Sequence, residues 1–133
     1  MLTLDTSALY AILVRRDPDH ERMIIARDAE HAPYFVPVGI LAEVGYMLQR
    51  RPQLTALDEF LADLTSGAYA FDCGERDFAR IHHLVHRYAD LELGLSDAAV
   101  IACAERRGGK ALTSDRRDFD IVARGEKTIT VLP

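Results

Sequence analysis

Met1-Leu2-Thr3-Leu4-Asp5-Thr6-Ser7-Ala8-Leu9-Tyr10-Ala11-Ile12-Leu13 decides the fold class of this chain. Residues 1–5 read as a short buried strand ending in an acid. Thr6 and Ser7 then open an apolar helix running to about Arg15. A buried strand that switches directly into a helix is the α/β pattern. The same rhythm returns downstream. Helices are expected over 19–31, from Pro37 to Arg51 and over 54–64, the last stopped by Gly67. Another is expected over 75–90, and one from Asp97 to Arg107 that Ser96 caps and Gly108–Gly109 stops. Strands are expected over 34–36, 68–72, 110–113 and 128–132. Alternating strands and helices imply a central, mostly parallel sheet with helices on both faces. In such sheets ligands bind beyond the carboxyl ends of the strands, where Asp5 and Asp115 fall.

The 133 residues suit one domain, 1–133, and 49% apolar residues suffice for a core without staples. Sixteen Lys and Arg against 21 Asp and Glu give a formal charge of −5. An acidic total does not advertise a nucleic-acid binder, but clustered active-site carboxylates would subtract from it. Of the basic residues only Lys110 and Lys127 are lysines, and Arg15–Arg16, Arg50–Arg51, Arg106–Arg107 and Arg116–Arg117 are doublets. Arginine forks suit phosphate, whereas a cation at a helix C-terminus simply opposes the dipole. Both readings stay open for Arg50–Arg51 and Arg106–Arg107, which precede Pro52 and Gly108. Cys73 and Cys103 have no CxxC spacing, which argues against zinc or a disulfide framework. The first apolar run is too short and too acidic for a signal peptide or a membrane span, so a reducing cytoplasm is expected.

Asp5, Glu43, Asp97 and Asp115 stand at strand ends, helix starts or beside apolar stripes. Each has a bland alternative. Asp5 and Asp115 can cap the following helices. Glu43 lies at the edge of the Ile40, Leu41, Val44, Met47, Leu48 stripe and can be solvated. Asp97 can oppose a helix dipole, but it shares the stripe of Ile101 and Ala104, which the dipole does not explain. Gathered carboxylates repel one another and lose hydration, a state that a hard cation relieves.

With these residues in hand, the chain resembles PIN-domain ribonucleases, and in particular VapC-type toxins of bacterial toxin–antitoxin pairs. The resemblance spans essentially the full length. It rests on Leu4-Asp-Thr-Ser-Ala-Leu, Leu41-Ala-Glu-Val, Leu95-Ser-Asp-Ala-Ala-Val-Ile-Ala-Cys-Ala and Leu112-Thr-Ser-Asp-Arg-Arg-Asp-Phe. It implies that Asp5, Glu43, Asp97 and Asp115 are the catalytic acids and the ligands of Mg²⁺ or Mn²⁺, with Asp118 as an auxiliary acid. Thr6, Ser7 and Ser114 are then expected to support a carboxylate or the scissile phosphate, and Arg116 or Arg117 to touch the RNA backbone. The implied activity is metal-dependent endoribonuclease cleavage that leaves a 5′-phosphate and a 3′-hydroxyl. The implied partners are RNA, a cognate antitoxin whose arginine enters the acidic groove, and a second copy of the chain. Helix 38–51 and the stretch Leu54–Leu64 are the expected contact surfaces. An all-oxygen ligand set independently suits Mg²⁺ or Mn²⁺ over Zn²⁺.

Three rivals remain. A phosphoryl-accepting Asp5 would want an acid two residues on, where Ser7 stands. His82 and His86 are spaced to share a metal, but His83 breaks an HExxH pattern. A non-catalytic RNA- or protein-binding module on the same fold would have little use for all four acids.

Overall fold

The computed structural model describes residues 1–50 and 52–133; Arg51, the expected end of the third helix, lies outside them. Five strands, β1 (Leu2–Leu4), β2 (Tyr34–Pro37), β3 (Ala70–Asp72), β4 (Lys110–Leu112) and β5 (Thr130–Leu132), form one sheet in the order β3-β2-β1-β4-β5. Every pairing is parallel, with Leu2 opposite Tyr34 and Leu4 opposite Leu112. Leu2, Leu4, Val36, Ala111 and Leu112 are fully buried, as strands covered on both faces require.

Seven helices connect them: α1 (Thr6–Leu13), α2 (His20–Asp28), α3 (Val38–Leu48), α4 (Leu54–Ser66), α5 (Phe78–Arg87), α6 (Leu95–Arg106) and α7 (Arg116–Glu126). The chain winds outward from β1 to β3, then crosses to β4 and winds the other way. Right-handed crossovers therefore put α1–α4 on one face and α5–α7 on the other. The winding reverses between β1 and β4, and the crevice beyond their carboxyl ends is the position where such sheets bind ligands. Asp5 follows β1, and Thr113-Ser114-Asp115 follows β4.

Some boundaries differ from the sequence expectation. Pro37 closes β2 and caps α3 instead of opening the helix. The helix expected over 75–90 is shorter, Phe78–Arg87, followed by a 3-10 turn at Ala89–Leu91. The cap of α6 is Gly94, not Ser96. The Ser96 hydroxyl instead donates to the Gly39 carbonyl at 3.1 Å, tying α6 to α3. Helix α6 is buried all along Ala98–Ala104, so it packs as the central helix of its face.

At that tie a Cβ on Gly39 would lie 2.6 Å from the Ala99 Cβ. Only glycine lets the two helix starts approach so closely; Asp97 lies in the first turn of α6, and Glu43 one turn beyond Gly39 on α3. Gly39→Ala is expected to cost about 1–3 kcal/mol through overpacking, read as a lower denaturation midpoint. The distance between Glu43 and Asp97 is expected to grow as well, because α3 and α6 must part.

Candidate active site: an unneutralised acidic crevice

The turn after β1 and the turn after β4 are locked together by hydroxyls. Asp5 is 5% exposed and its Oδ2 accepts from Thr113 Oγ1 at 2.8 Å and from Ser7 Oγ at 3.0 Å. Ser7 Oγ lies 3.0 Å from Thr113 Oγ1 and accepts the Ser114 amide at 3.1 Å. The Asp115 amide donates to Thr113 Oγ1 at 3.0 Å. One hydroxyl thus orients the first acid and the backbone of the last. Asp5 occupies the N-cap position of α1, yet its carboxylate makes no capping bond. Burial raises its pKa, and the Thr113 and Ser7 hydroxyls pull it partly back.

Thr113 was not among the sequence candidates. The supporting role expected of the Ser114 side chain falls to it, and Ser114 takes part through its amide. A fully buried threonine ending a strand reads from sequence as an ordinary β-former; only its placement against Asp5 distinguishes it. Thr113→Val keeps the shape but removes the hydroxyl. Stability is expected to drop by about 1–3 kcal/mol, since Asp5 loses a buried donor. Activity is expected to fall at least tenfold, measured as single-turnover cleavage.

Asp97, in the first turn of α6, reports how the rest assemble. Its pKa is raised to about 6, first by burial and then by the charges of Asp5, Glu43, Asp118 and Asp115. Asp97 is therefore within electrostatic reach of the other four sequence-selected acids. Glu43 and Asp115 are exposed, and Asp118 is half-buried. Among the described residues no three His, Cys, Asp or Glu side chains converge tightly enough to hold an ion as they stand. Asp97 thus lies under the repulsion of four other carboxylates. The donor set of the crevice, oxygen only and strongly negative, fits a hard divalent cation.

A second acidic group shows the contrast. Asp72 ends β3 much as Asp5 follows β1, and with Asp77 it is nearly fully buried. Arg106 bonds Asp72 at 2.6 Å and Asp77 at 2.6 and 2.7 Å, and Arg107 bonds Asp72 at 2.9 Å. Although burial opposes it, these two arginines hold the Asp72 pKa below its usual value. The Arg106–Arg107 doublet thus serves the fold's own carboxylates. The sheet edge carries two acidic clusters: one buried and neutralised by arginine, the other running from buried Asp5 to exposed Glu43 and Asp115 with no ion pair among the described residues.

Other candidates are placed as follows. Thr6 is buried, with its Oγ1 unpartnered among the described residues. Arg116 is clamped to Asp120 at 3.0 and 3.2 Å and also bonds the Pro133 carbonyl, so its fork is used within the fold. Arg117 is exposed. His82, His83 and His86 lie exposed on α5. No helix among the described residues is long and apolar enough to cross a membrane.

Comparison with known proteins agrees with this geometry. The family model described as PIN domain matches residues 2–125. The chain is 31% identical to "Ribonuclease VapC26" of Mycobacterium tuberculosis (strain ATCC 25618 / H37Rv), over 99% of this chain and 100% of that protein. The fold is shared with the crystal structure of Mycobacterium tuberculosis VapC20, a Sarcin-Ricin loop cleaving toxin. The TM-score is 0.79 at 19% identity, over 92% of this chain and 95% of that one. It is also shared with VapBC2 from Rickettsia felis bound to a DNA fragment from their promoter. There the TM-score is 0.70 at 10% identity, over 98% and 96% of the two chains.

Proposed function

The chain belongs to the PIN-domain family, and on that premise we propose that it is the ribonuclease toxin of a toxin–antitoxin pair, cleaving RNA with Mg²⁺ or Mn²⁺. The observation that carries this reading is the environment of Asp97, half-buried among four other carboxylates with its pKa raised to about 6. Asp72 and Asp77 show that this fold neutralises buried acids with arginine where they serve structure. A cluster with no ion pair among the described residues supports a role for an external cation.

Asp5, Asp97 and Asp115 are the residues that would hold the ion, with Glu43 and Asp118 at its margin. Bound Mg²⁺ or Mn²⁺ supplies Lewis acidity and a water of lowered pKa. The protein's own contribution is positional. Thr113 and Ser7 fix the Asp5 carboxylate. Gly39 and Ser96 set the spacing of α3 and α6, and so of Glu43 and Asp97. Glu43, exposed on α3, would help hold the ion or the attacking water. The half-buried site excludes part of the solvent, which strengthens each charge interaction within it.

The likeness to VapBC2 from Rickettsia felis supports a cognate antitoxin for this chain. A cationic side chain of that partner would satisfy the same carboxylates and displace metal or substrate. Leu54 and Leu61, 43% and 51% exposed on α4, offer apolar contact area for the partner. A homodimer and a cytoplasmic site of action belong to the same reading.

The test is incubation of partner-free protein with total bacterial RNA, with Mg²⁺, with Mn²⁺ and with EDTA, followed by sequencing of new 5′ ends. Discrete metal-dependent cuts bearing 5′-phosphates are the expected result. Binding of RNA without cleavage under any divalent cation would favour a non-catalytic module.

A further inference from the structure

Arg22, Arg27, Arg80, Arg87, Arg106, Arg107 and Arg116 form ion pairs with carboxylates. Arg15, Arg16, Arg50, Arg76, Arg117 and Arg124 do not, among the described residues, and all are exposed; of these, Arg15, Arg16 and Arg50 form one group. They come from two separate turns, yet the fold brings them to one side. Arg15 and Arg16 line a depression with Gln53 and Glu59. Gln53 also lines the adjoining depression formed by Tyr10, Tyr46, Met47 and Arg50. The two depressions lie on either side of Gln53.

This basic ground is joined to the acidic crevice by two packed helices. Helices α1 and α3 are in contact, and both start at the carboxyl edge of the sheet. On α3, Glu43, Tyr46 and Arg50 follow at spacings of three and four residues, with Arg50 just past the helix end; they form one stripe. On α1, Ser7, Tyr10 and Val14 do the same, and Arg15 follows directly. The valley between the helices starts at the acids and ends at the arginines. Seven residues at 1.5 Å rise give a length of about 10 Å from Glu43 to Arg50. Arg50 is already ordered for contact. Its guanidinium lies 4.8 Å from the centroid of the Tyr46 ring and bonds the Tyr46 hydroxyl. Stacking of this kind fixes the fork while leaving other donors free.

We propose that the α1–α3 valley is a binding track for the sugar–phosphate backbone of single-stranded RNA, with Arg15, Arg16 and Arg50 on the phosphates and Tyr10 and Tyr46 beside the bases. It rests on the reading of the acidic crevice as a ribonuclease centre. The track supplies what that centre lacks, because a crevice of carboxylates repels a polyanion. Cations about 10 Å away hold the strand while the scissile bond lies at the acids. Glu59 is the single carboxylate lining these two depressions and works against the track.

The test is binding of a short fluorescently labelled single-stranded RNA in EDTA, by anisotropy across a salt titration, for the wild type, Arg15→Gln/Arg16→Gln/Arg50→Gln and Glu59→Gln. Cleavage by the wild type with Mg²⁺ or Mn²⁺ is measured in parallel on total RNA. The triple variant is expected to bind at least tenfold more weakly. Its log–log salt slope is expected to shrink by about 2, since each single-strand phosphate contact contributes about 0.7. Glu59→Gln is expected to bind more tightly, a gain that misfolding cannot mimic. A triple variant with wild-type affinity and slope, from a protein that cleaves RNA, overturns the track and leaves the ribonuclease reading intact; the arginines then belong to a protein interface. A wild type that neither binds nor cleaves RNA overturns both.

Discussion

Asp97→Asn is expected to abolish RNA cleavage, by about 10³-fold or more, while making the metal-free protein more stable. On the proposed function, the loss follows from removing a charge that would hold the ion, since metal stabilisation of the developing charge amounts to several kcal/mol. The gain in stability follows from the sign of the Asp97 shift. Its pKa in the fold is about 6 against an ordinary 3.8, so folding disfavours the ionised form. That penalty is fully present above pH 6 and is relieved as pH falls from about 6 towards 3.8. Asparagine removes it. Allowing for solvent screening at this half-buried position, the gain at neutral pH is ~1 kcal/mol. Thermal denaturation of both proteins in EDTA, at pH 7.5 and pH 5, tests this. The variant should melt higher at pH 7.5 and lose most of that advantage at pH 5. Adding Mg²⁺ or Mn²⁺ should stabilise the wild type and leave the variant nearly unmoved, because ligand binding stabilises only the form that binds. An active Asp97→Asn protein, or one that is less stable than wild type in EDTA, would contradict this account of the site.

Arg106→Met is expected to have the largest effect on stability. The substitution keeps an unbranched apolar stem but removes the guanidinium, leaving Asp77 without a cation and Asp72 with Arg107 alone. Both carboxylates are at most 5% exposed, and breaking a buried pair from one side costs about 3–5 kcal/mol. Arg106 is partly exposed and Arg107 remains, so about 3 kcal/mol is the expected loss, or roughly 10 °C in melting temperature. The pH dependence has the opposite sign to that of Asp97. The lowered pKa of Asp72 contributes stability above its ordinary value of 3.8, which is lost as pH falls through the folded value. In Arg106→Met much of that contribution is gone, so the deficit should be large at neutral pH and narrow under acid. Adding Asp77→Asn to Arg106→Met should restore part of the stability, because an amide is cheaper to bury than a lone carboxylate. If the double variant is no better than Arg106→Met, packing and not charge is the cause.

The order of elements was legible because burial leaves a local trace. Short stretches with apolar residues, such as Leu2–Leu4 and Ala111-Leu112, bounded by turn or helix signals announce buried strands. Gly67 and the Gly108–Gly109 pair announce helix ends through their positive φ. Ends set by contacts with distant residues were misplaced. Ser96 has the composition of a cap, yet its hydroxyl is engaged by Gly39, 57 residues away. The acids of the crevice were selectable because charge beside an apolar stripe, as in Asp97, is locally anomalous.

By itself the sequence determined the α/β class, the near-continuous apolar strands and the identity of Asp5, Glu43, Asp97 and Asp115 as acids worth explaining, since each depends on a residue and its near neighbours. Tertiary structure alone decided which charges remain free. Asp72 and Asp5 stand at equivalent strand ends, and nothing local separates them. Arg106 and Arg107 reach the first from more than thirty residues away, whereas four carboxylates crowd Asp97, the near neighbour of the second. The same is true of Thr113, whose role exists only because β1 and β4 lie side by side. Charge balance is a property of the assembled fold, because Coulomb interactions follow distance in space and not distance along the chain.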